Sequence, residues 1–276
     1  MLDKKAMKIP KLACCNFIQD PVALKEFALT HGLDGIDWSF TAANAPNRPA
    51  EESRLMEIID NLDPLEVRYH CAIHNMDLGD TDRERSKNAL RTFKDLCRTV
   101  AKLGGRFFTI HVGLGRSRTH DLSWEDTVAR LSQLVQFANN LGVRICLENL
   151  AWGWTSRPHL FEKLIRKSGA YATLDIGHAK VSPYVTSQHY DLEDFVGPQP
   201  DRFLNAHVYN VENSEGHLAP ASLSDMESRL SLLRSLPLCD WWVLELHREE
   251  PLLQTLRVAR EFFRREKNGN ELRAAL

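Results

Sequence analysis

Apolar and polar positions along this chain keep two alternating rhythms. Eight short runs rich in β-branched, aromatic and aliphatic residues, KLACCNF, LDGIDWSF, LEVRYHCAI, RFFTIHVG, VRICLENL, YATLDIGHA, FLNAHVYN and WWVLELH, are centred near residues 14, 36, 69, 109, 146, 174, 206 and 244. Short apolar runs bounded by turn residues read as strands buried on both faces. Between them the period becomes helical: Leu90, Phe93, Leu96, Cys97, Val100 and Ala101 form one apolar stripe, and Val128, Leu131, Leu134, Val135, Ala138 and Leu141 another. Gly104-Gly105, Gly142 and Gly169 each follow a helical pattern and precede a strand run, where a helix stop belongs. A last stripe, Leu252, Leu256, Ala259 and Phe263, closes the pattern, and the chain from about 267 (KNGNELRAAL) reads as a frayed tail.

Strand and helix alternating eight times predict a single (β/α)8 TIM barrel, one domain over residues 1–276. The competing doubly wound sheet would carry a glycine-rich dinucleotide fingerprint after its first strand, and CCNFIQDP stands there instead. Neither a P-loop nor a Pro/Gly/Ser-rich linker is found. The long connections near 41–50, 74–84, 113–124, 150–158 and 211–223 all follow strands, and in a barrel those loops build the active site.

Composition narrows the partners. Lys and Arg number 35 against 37 Asp and Glu in 276 residues, a net charge of -2, so no global basic field gathers nucleic acid, and none is expected as a partner. With 43% hydrophobic and 26% charged residues the chain is an ordinary globular one. No apolar stretch reaches the roughly 20 residues of a membrane span, and the N-terminus lacks the apolar region of a signal peptide, so a cytoplasmic location with no membrane partner is expected. The six cysteines form no C-x-x-C pair and read as buried, reduced thiols.

Five polar groups end the last four barrel-strand runs: Glu148 after RICL, Asp175 after YATL with His178 three residues on, His207 after FLNA, and Glu245 after WWVL. A carboxylate closing an apolar strand sits at the edge of the core, where it costs several kcal/mol unless paired or metal-bound. Four consecutive strands repeating this device point to one site. Mixed carboxylate and imidazole ligands suit one divalent metal, Mn²⁺, Co²⁺, Mg²⁺, Zn²⁺ or Ni²⁺. The third and fourth runs add His70 and His111, and the loop after the seventh adds Glu215 and His217, candidates for substrate contact or for a second or third metal. Trp38, Phe40, Trp152 and Trp154 stand at strand mouths, where apolar ring faces can pack against the C–H faces of a sugar; Trp38 and Trp152 are the substrate-contact candidates among them.

The series LENL, TLDIGHA, AHVYN and VLELH resembles the xylose-isomerase-like barrel superfamily, which includes sugar isomerases and epimerases, inosose dehydratases and the endonuclease IV group. The resemblance covers nearly the whole chain. It implies that Glu148, Asp175, His207 and Glu245 hold one divalent metal and that His178 touches substrate. The chain departs from the ketose 3-epimerases at Trp154 and Asn213, where those enzymes carry glutamate and arginine. HCAIHNMDLGD is similar to the family's H-x-P-x-x-D-L segment with Ala72 in place of proline, which leaves His70 and His74 as alternatives for its histidine. The endonuclease branch uses matching histidines on strands three and four and a D-x-H after strand seven, set here against Glu215-x-His217, yet the mouth cations are few, chiefly Arg116, Arg118 and Arg157.

The expected function is therefore a divalent-metal-dependent isomerase or epimerase of a small sugar or polyhydroxy carbonyl compound. Glu148 and Glu245 would exchange a proton through a metal-stabilised enediolate. The alternatives are a ketocyclitol dehydratase, an endonuclease IV-like phosphodiesterase and a non-catalytic ligand-binding barrel. Which sugar it takes, whether that sugar is phosphorylated, and whether the protein is a homo-oligomer are left open.

Overall fold

A computed structural model describes residues 9–116 and 118–274, with side chains described as far as 268. All eight predicted runs are strands: β1 (Lys11–Cys15), β2 (Gly35–Phe40), β3 (Glu66–Cys71), β4 (Phe107–Ile110), β5 (Arg144–Glu148), β6 (Tyr171–Asp175), β7 (Phe203–Val208) and, after a small hairpin of β8 (Val211–Asn213) and β9 (Gly216–Leu218), β10 (Trp241–Leu244). The eight barrel strands pair in parallel and close in the order β1-β10-β7-β6-β5-β4-β3-β2, a (β/α)8 barrel.

Helices α1 (Pro21–Thr30), α2 (Pro49–Asp60), α3 (Arg83–Lys102), α4 (Trp124–Asn140), α5 (Pro158–Ser168), the short α6 (Ile176–Val181) and α7 (Pro183–Thr186), α8 (Glu227–Ser235) and α9 (Glu249–Ala274) surround it. Asp82 and Ser123 cap α3 and α4 by accepting backbone N–H groups. The anticipated stops hold, with Gly104, Gly142 and Gly169 at φ of 72°, 75° and 77°. The last helix runs to Ala274 and so includes most of the tail expected to fray, because Glu, Leu, Arg and Ala are strong enough helix formers to carry it past Gly269.

Strand alternation sorts the side chains into two cores. Outward residues such as Ile36, Phe108, Leu147, Leu174, Ala206 and Leu244 pack with the helices in one continuous apolar cluster. Inside the barrel, Ala13, Trp241 and Val243 pack together low down. Arg68 donates there to Asn205 (2.6 Å), Asp240 (2.9 Å) and Glu66 (3.1 Å). Above them Thr109, Thr173 and Asn205 form a hydrogen-bonded layer. The next inward layer is where the acidic strand ends arrive. All six cysteines are buried and free of disulfides. Among the described residues, no helix is long and apolar enough to cross a membrane.

Candidate active site

The inward side chains at the C-terminal ends of β5, β6, β7 and β10 meet over the barrel axis. The register sets Asp175 beside His207 and Val243 beside His207, and Glu245, two residues beyond Val243 on the same inward side, offers its carboxylate to the same group. Glu148, Asp175, His207 and Glu245 offer ligand atoms that lie within 4.8 Å of one another, and all four residues are buried. His207 Nδ1 is 3.1 Å from both Glu148 Oε1 and Glu245 Oε2. Asp175 accepts the backbone N–H of His178 (2.6 Å), which fixes its carboxylate, while Asn149 brackets the same backbone from the neighbouring strand.

Histidines surround this group. His111 Nε2 is 3.0 Å from Glu148 Oε2 and 3.4 Å from His70 Nε2, and His111 Nδ1 donates to Cys71 O (3.1 Å). His74 is exposed, so His70 is the histidine of that segment which reaches the cluster. His178 donates from Nδ1 to Asn149 O (3.0 Å) and turns Nε2 toward Glu212 Oε2 at 3.1 Å. His217 donates from Nδ1 to the Glu245 carbonyl (2.7 Å), and its ring stacks on Tyr209 at 3.8 Å. Tyr209 in turn lies where a Cβ on Gly177 would be, 2.1 Å from its ring, so a glycine there is what lets the tyrosine support His217.

The electrostatics follow from packing carboxylates into a dry layer. Burial, reinforced by Glu245 and Glu148 against the pull of His207, raises Asp37 to about 7. Burial, reinforced by Glu148 and Glu245 against the pull of His178, raises Asp175 to about 6. At Glu148 burial works the same way but is outweighed by His207 and His111, and the carboxyl is held well below its usual range. Glu245 is likewise held low by His207. Burial opposes charge on His178 too, yet Asp175 and Glu212 raise it to about 10. Asp37 Oδ2, Glu148 Oε2, Asp175 Oδ2 and His207 Nε2 are buried without a hydrogen-bond partner. Orphaned acceptors and carboxylates converging in one layer are the surroundings that suit a cation.

Three further triads among the described residues bring ligand atoms equally close: Asp37, His70 and His207; His70, His111 and Glu148; and His178, Glu212 and His217. Two of their members were not anticipated from sequence. The run LDGIDWSF points to Trp38, but β2 alternation sends Asp37 inward and Trp38 outward into the apolar cluster with Ile36 and Phe40, away from the site. The spacing of Glu215 to His217 suggests that those two pair, but the partner is Glu212. In the hairpin, Glu212 lies directly across from His217, whereas Glu215 is exposed in the turn. The signal available was the short V-E-N-S-E-G-H-L hairpin pattern, which pairs residues across a turn rather than two apart.

Of the mouth aromatics, Trp152 alone adjoins the cluster, 5.9 Å from the His178 ring, with its Nε1 donating to Gly113 O (3.1 Å). Phe40 stacks on Tyr69 in the outer core, and Trp154 lies edge-on to Trp124. Asn213 is exposed and accepts the Glu215 N–H in the turn. Arg116 is taken up by Asp77 and Asp80 in a network joining the loops after β3 and β4, and Arg118 is exposed on the rim, lining an open cavity with Trp152 and Arg157.

Comparison with known proteins agrees with the barrel fold. An uncharacterised protein of Methanocaldococcus jannaschii is 27% identical over 196 residues, 71% of this chain and 80% of that protein. A crystal structure of a D-tagatose 3-epimerase-like protein has a TM-score of 0.72 at 15% identity, covering 94% of this chain and 99% of that one. Endonuclease IV from Thermus thermophilus has a TM-score of 0.62 at 18% identity, covering 93% and 100%. Residues 26–266 match the model of one family, and the chain belongs to it: the xylose isomerase-like TIM barrels.

Proposed function

We propose that this chain is a divalent-metal-dependent isomerase or epimerase of a small sugar or polyhydroxy carbonyl compound, working by proton transfer at the carbon next to a carbonyl. The observation that carries the reading is the pair Glu148 and Glu245, brought from β5 and from just past the end of β10 to the same nitrogen of His207, each at 3.1 Å. Glu148, Asp175, His207 and Glu245 are the residues that would hold the metal. When bound, a divalent ion polarises a carbonyl oxygen and stabilises the negative charge left by proton removal.

The chain's own groups supply the rest. Substrate lying between the two glutamates presents opposite faces of its reacting carbon to them. One carboxylate takes a proton from one face, the other, entering protonated, returns one to the opposite face, and the cycle ends with their protonation states exchanged. His178 and Trp152 border the same space and are positioned to contact the substrate. The D-tagatose 3-epimerase-like neighbour supports the sugar class. Trp154 and Asn213, which point elsewhere, speak against a ketose 3-epimerase as such, and metal-assisted dehydration of a ketocyclitol would use the same groups.

A second reading, a multinuclear phosphodiesterase, is favoured by the triads His70, His111, Glu148 and His178, Glu212, His217, which flank the central group, the first sharing Glu148 with it. It ranks lower because nucleic-acid binding draws on several mouth cations acting together, and one of the few here, Arg116, is neutralised by two aspartates. The deciding experiment measures the metal content of undialysed protein and then screens ketoses, hydroxypyruvate and inososes for turnover, with an abasic-site duplex beside them. Turnover of a carbonyl substrate with about one metal per chain is expected. Duplex cleavage with about three metals would overturn the proposal.

A further inference from the structure

Beside the metal layer, on the far side of Trp152, lies an open cavity of about 610 Å³ formed by the loops after β4 and β5 and by α7. Trp152 is the shared wall: its indole lines this cavity and also meets His178 edge-on. The opposite wall is Arg157 and Tyr184, the guanidinium carbon standing 4.7 Å above the tyrosine ring.

Arg157 is held firmly for a residue with no charge partner. Its carbonyl accepts from Leu160 and Phe161 as it caps α5, and its own N–H donates to Trp154 O (3.1 Å). Tyr184 is fixed against it because Ser182, which caps α7, donates to Ser156 O (2.8 Å). Yet Arg157 Nε is buried without an acceptor, and among the described residues no carboxylate lies within 4.0 Å of the guanidinium. Arg116, on the neighbouring loop, is by contrast neutralised twice over. A planar fork of donors, stacked on an aromatic ring and lacking an anion, is matched by a phosphoryl or carboxylate group, which can accept two of its N–H bonds at once. A neutral hydroxyl would satisfy one donor and leave the charge uncompensated.

We infer that the Arg157–Tyr184 cavity is a subsite for an anionic group, phosphoryl or carboxylate, carried by the substrate at the end remote from its reacting carbonyl. This rests on the isomerase reading above, and it narrows that reading to sugar phosphates or sugar acids.

The test is calorimetric titration of the metal-loaded protein with D-fructose 6-phosphate, D-glucuronate, D-fructose and inorganic phosphate, repeated on Arg157→Gln, Arg157→Lys and Tyr184→Leu. At least one anionic sugar should bind tenfold or more tightly than fructose. Which of the two does so separates phosphoryl from carboxylate. Arg157→Gln should collapse that preference to threefold or less with metal content unchanged, and Arg157→Lys should restore only part of it. Equal binding of anionic and neutral probes by the wild type, or a preference untouched by Arg157→Gln, overturns the inference. Should Arg157→Gln unfold, competition on the wild type decides: inorganic phosphate must displace the anionic sugar without displacing fructose, and failure to do so overturns it.

Tight binding of an abasic duplex that Arg157→Gln abolishes would also overturn it, by assigning the cavity to a nucleic-acid backbone. The two readings fail separately. Turnover of a neutral ketose with no anion preference removes the subsite alone, and an intact anion preference with no turnover of any carbonyl sugar removes the isomerase alone.

Discussion

Single side chains at the centre of this barrel carry opposing demands, and substitutions separate them. Asp175 is fixed by the His178 N–H and has a buried oxygen without a partner. Asp175→Ala should therefore lose the metal, read by elemental analysis of undialysed protein; full retention would remove Asp175 from the ligand set. Glu148→Gln and Glu245→Gln keep shape and remove the base. Each is expected to lower kcat by about a hundredfold or more, the scale of general acid-base loss, and unchanged turnover in both would sink the two-glutamate mechanism. His178 hydrogen-bonds outward to Glu212 rather than joining the central four. His178→Asn should raise KM or lower kcat with the central metal retained, whereas metal loss would promote the multinuclear reading.

At the scale of elements, buried polar ties help to hold the loops that carry the site. Arg229 on α8 is buried and donates to the carbonyls of Ile176, Tyr209, Asn210 and Asp225, two of them within two residues of His207 or Asp175 in sequence. Arg229→Ala leaves those carbonyls without donors and should cost about 2–3 kcal/mol, measured by urea unfolding; a change below about 0.5 kcal/mol would mean that water replaces the guanidinium. Across the mouth, Asp80 joins the loops after β3 and β4. Burial works against its ionisation, but hydrogen bonds from Arg85, the Asp82 N–H and Arg116 outweigh it and hold the carboxyl below its usual range. A depressed carboxyl stabilises the fold at pH values above its unfolded pKa, about 3.9, and that contribution fades as pH falls through the lower folded value. Asp80→Asn should accordingly lower Tm at pH 7, and the gap to wild type should narrow below about pH 4. A gap independent of pH would show that packing, not charge, is what the aspartate contributes.

For the molecule as a whole, the charge balance sets what approaches the mouth. A net charge of -2 and a mouth whose Arg116 is internally neutralised release few counterions on contact with DNA. Weak binding to nucleic acid at about 150 mM salt is expected, measured by fluorescence anisotropy with an abasic duplex; nanomolar binding would reverse the ranking of the two readings. The barrel closes with its inward layers graded from Arg68 and Trp241 at the bottom, through Thr109, Thr173 and Asn205, to the carboxylates and imidazoles at the top. A rigid lower barrel thereby holds the ligand geometry, and the long loops are left to select the substrate.

What the sequence determined by itself was local and periodic. Eight apolar runs, helical stripes between them and glycines at the stops required a strand-helix repeat, and the polar residues ending the last four barrel strands marked one mouth, because a carboxylate at the end of a buried strand needs a reason to be there. Chain spacing could not tell which of two neighbours faces inward or which residues meet across a turn. Asp37 rather than Trp38, and Glu212 rather than Glu215, were decided by strand alternation and by hairpin register, both set only when the barrel closes and β8 pairs with β9. The Arg157 cavity is tertiary in the same sense. Its walls come from segments near 119, 152, 157 and 184, and a cation without a partner is visible only once every carboxylate in the fold has been placed.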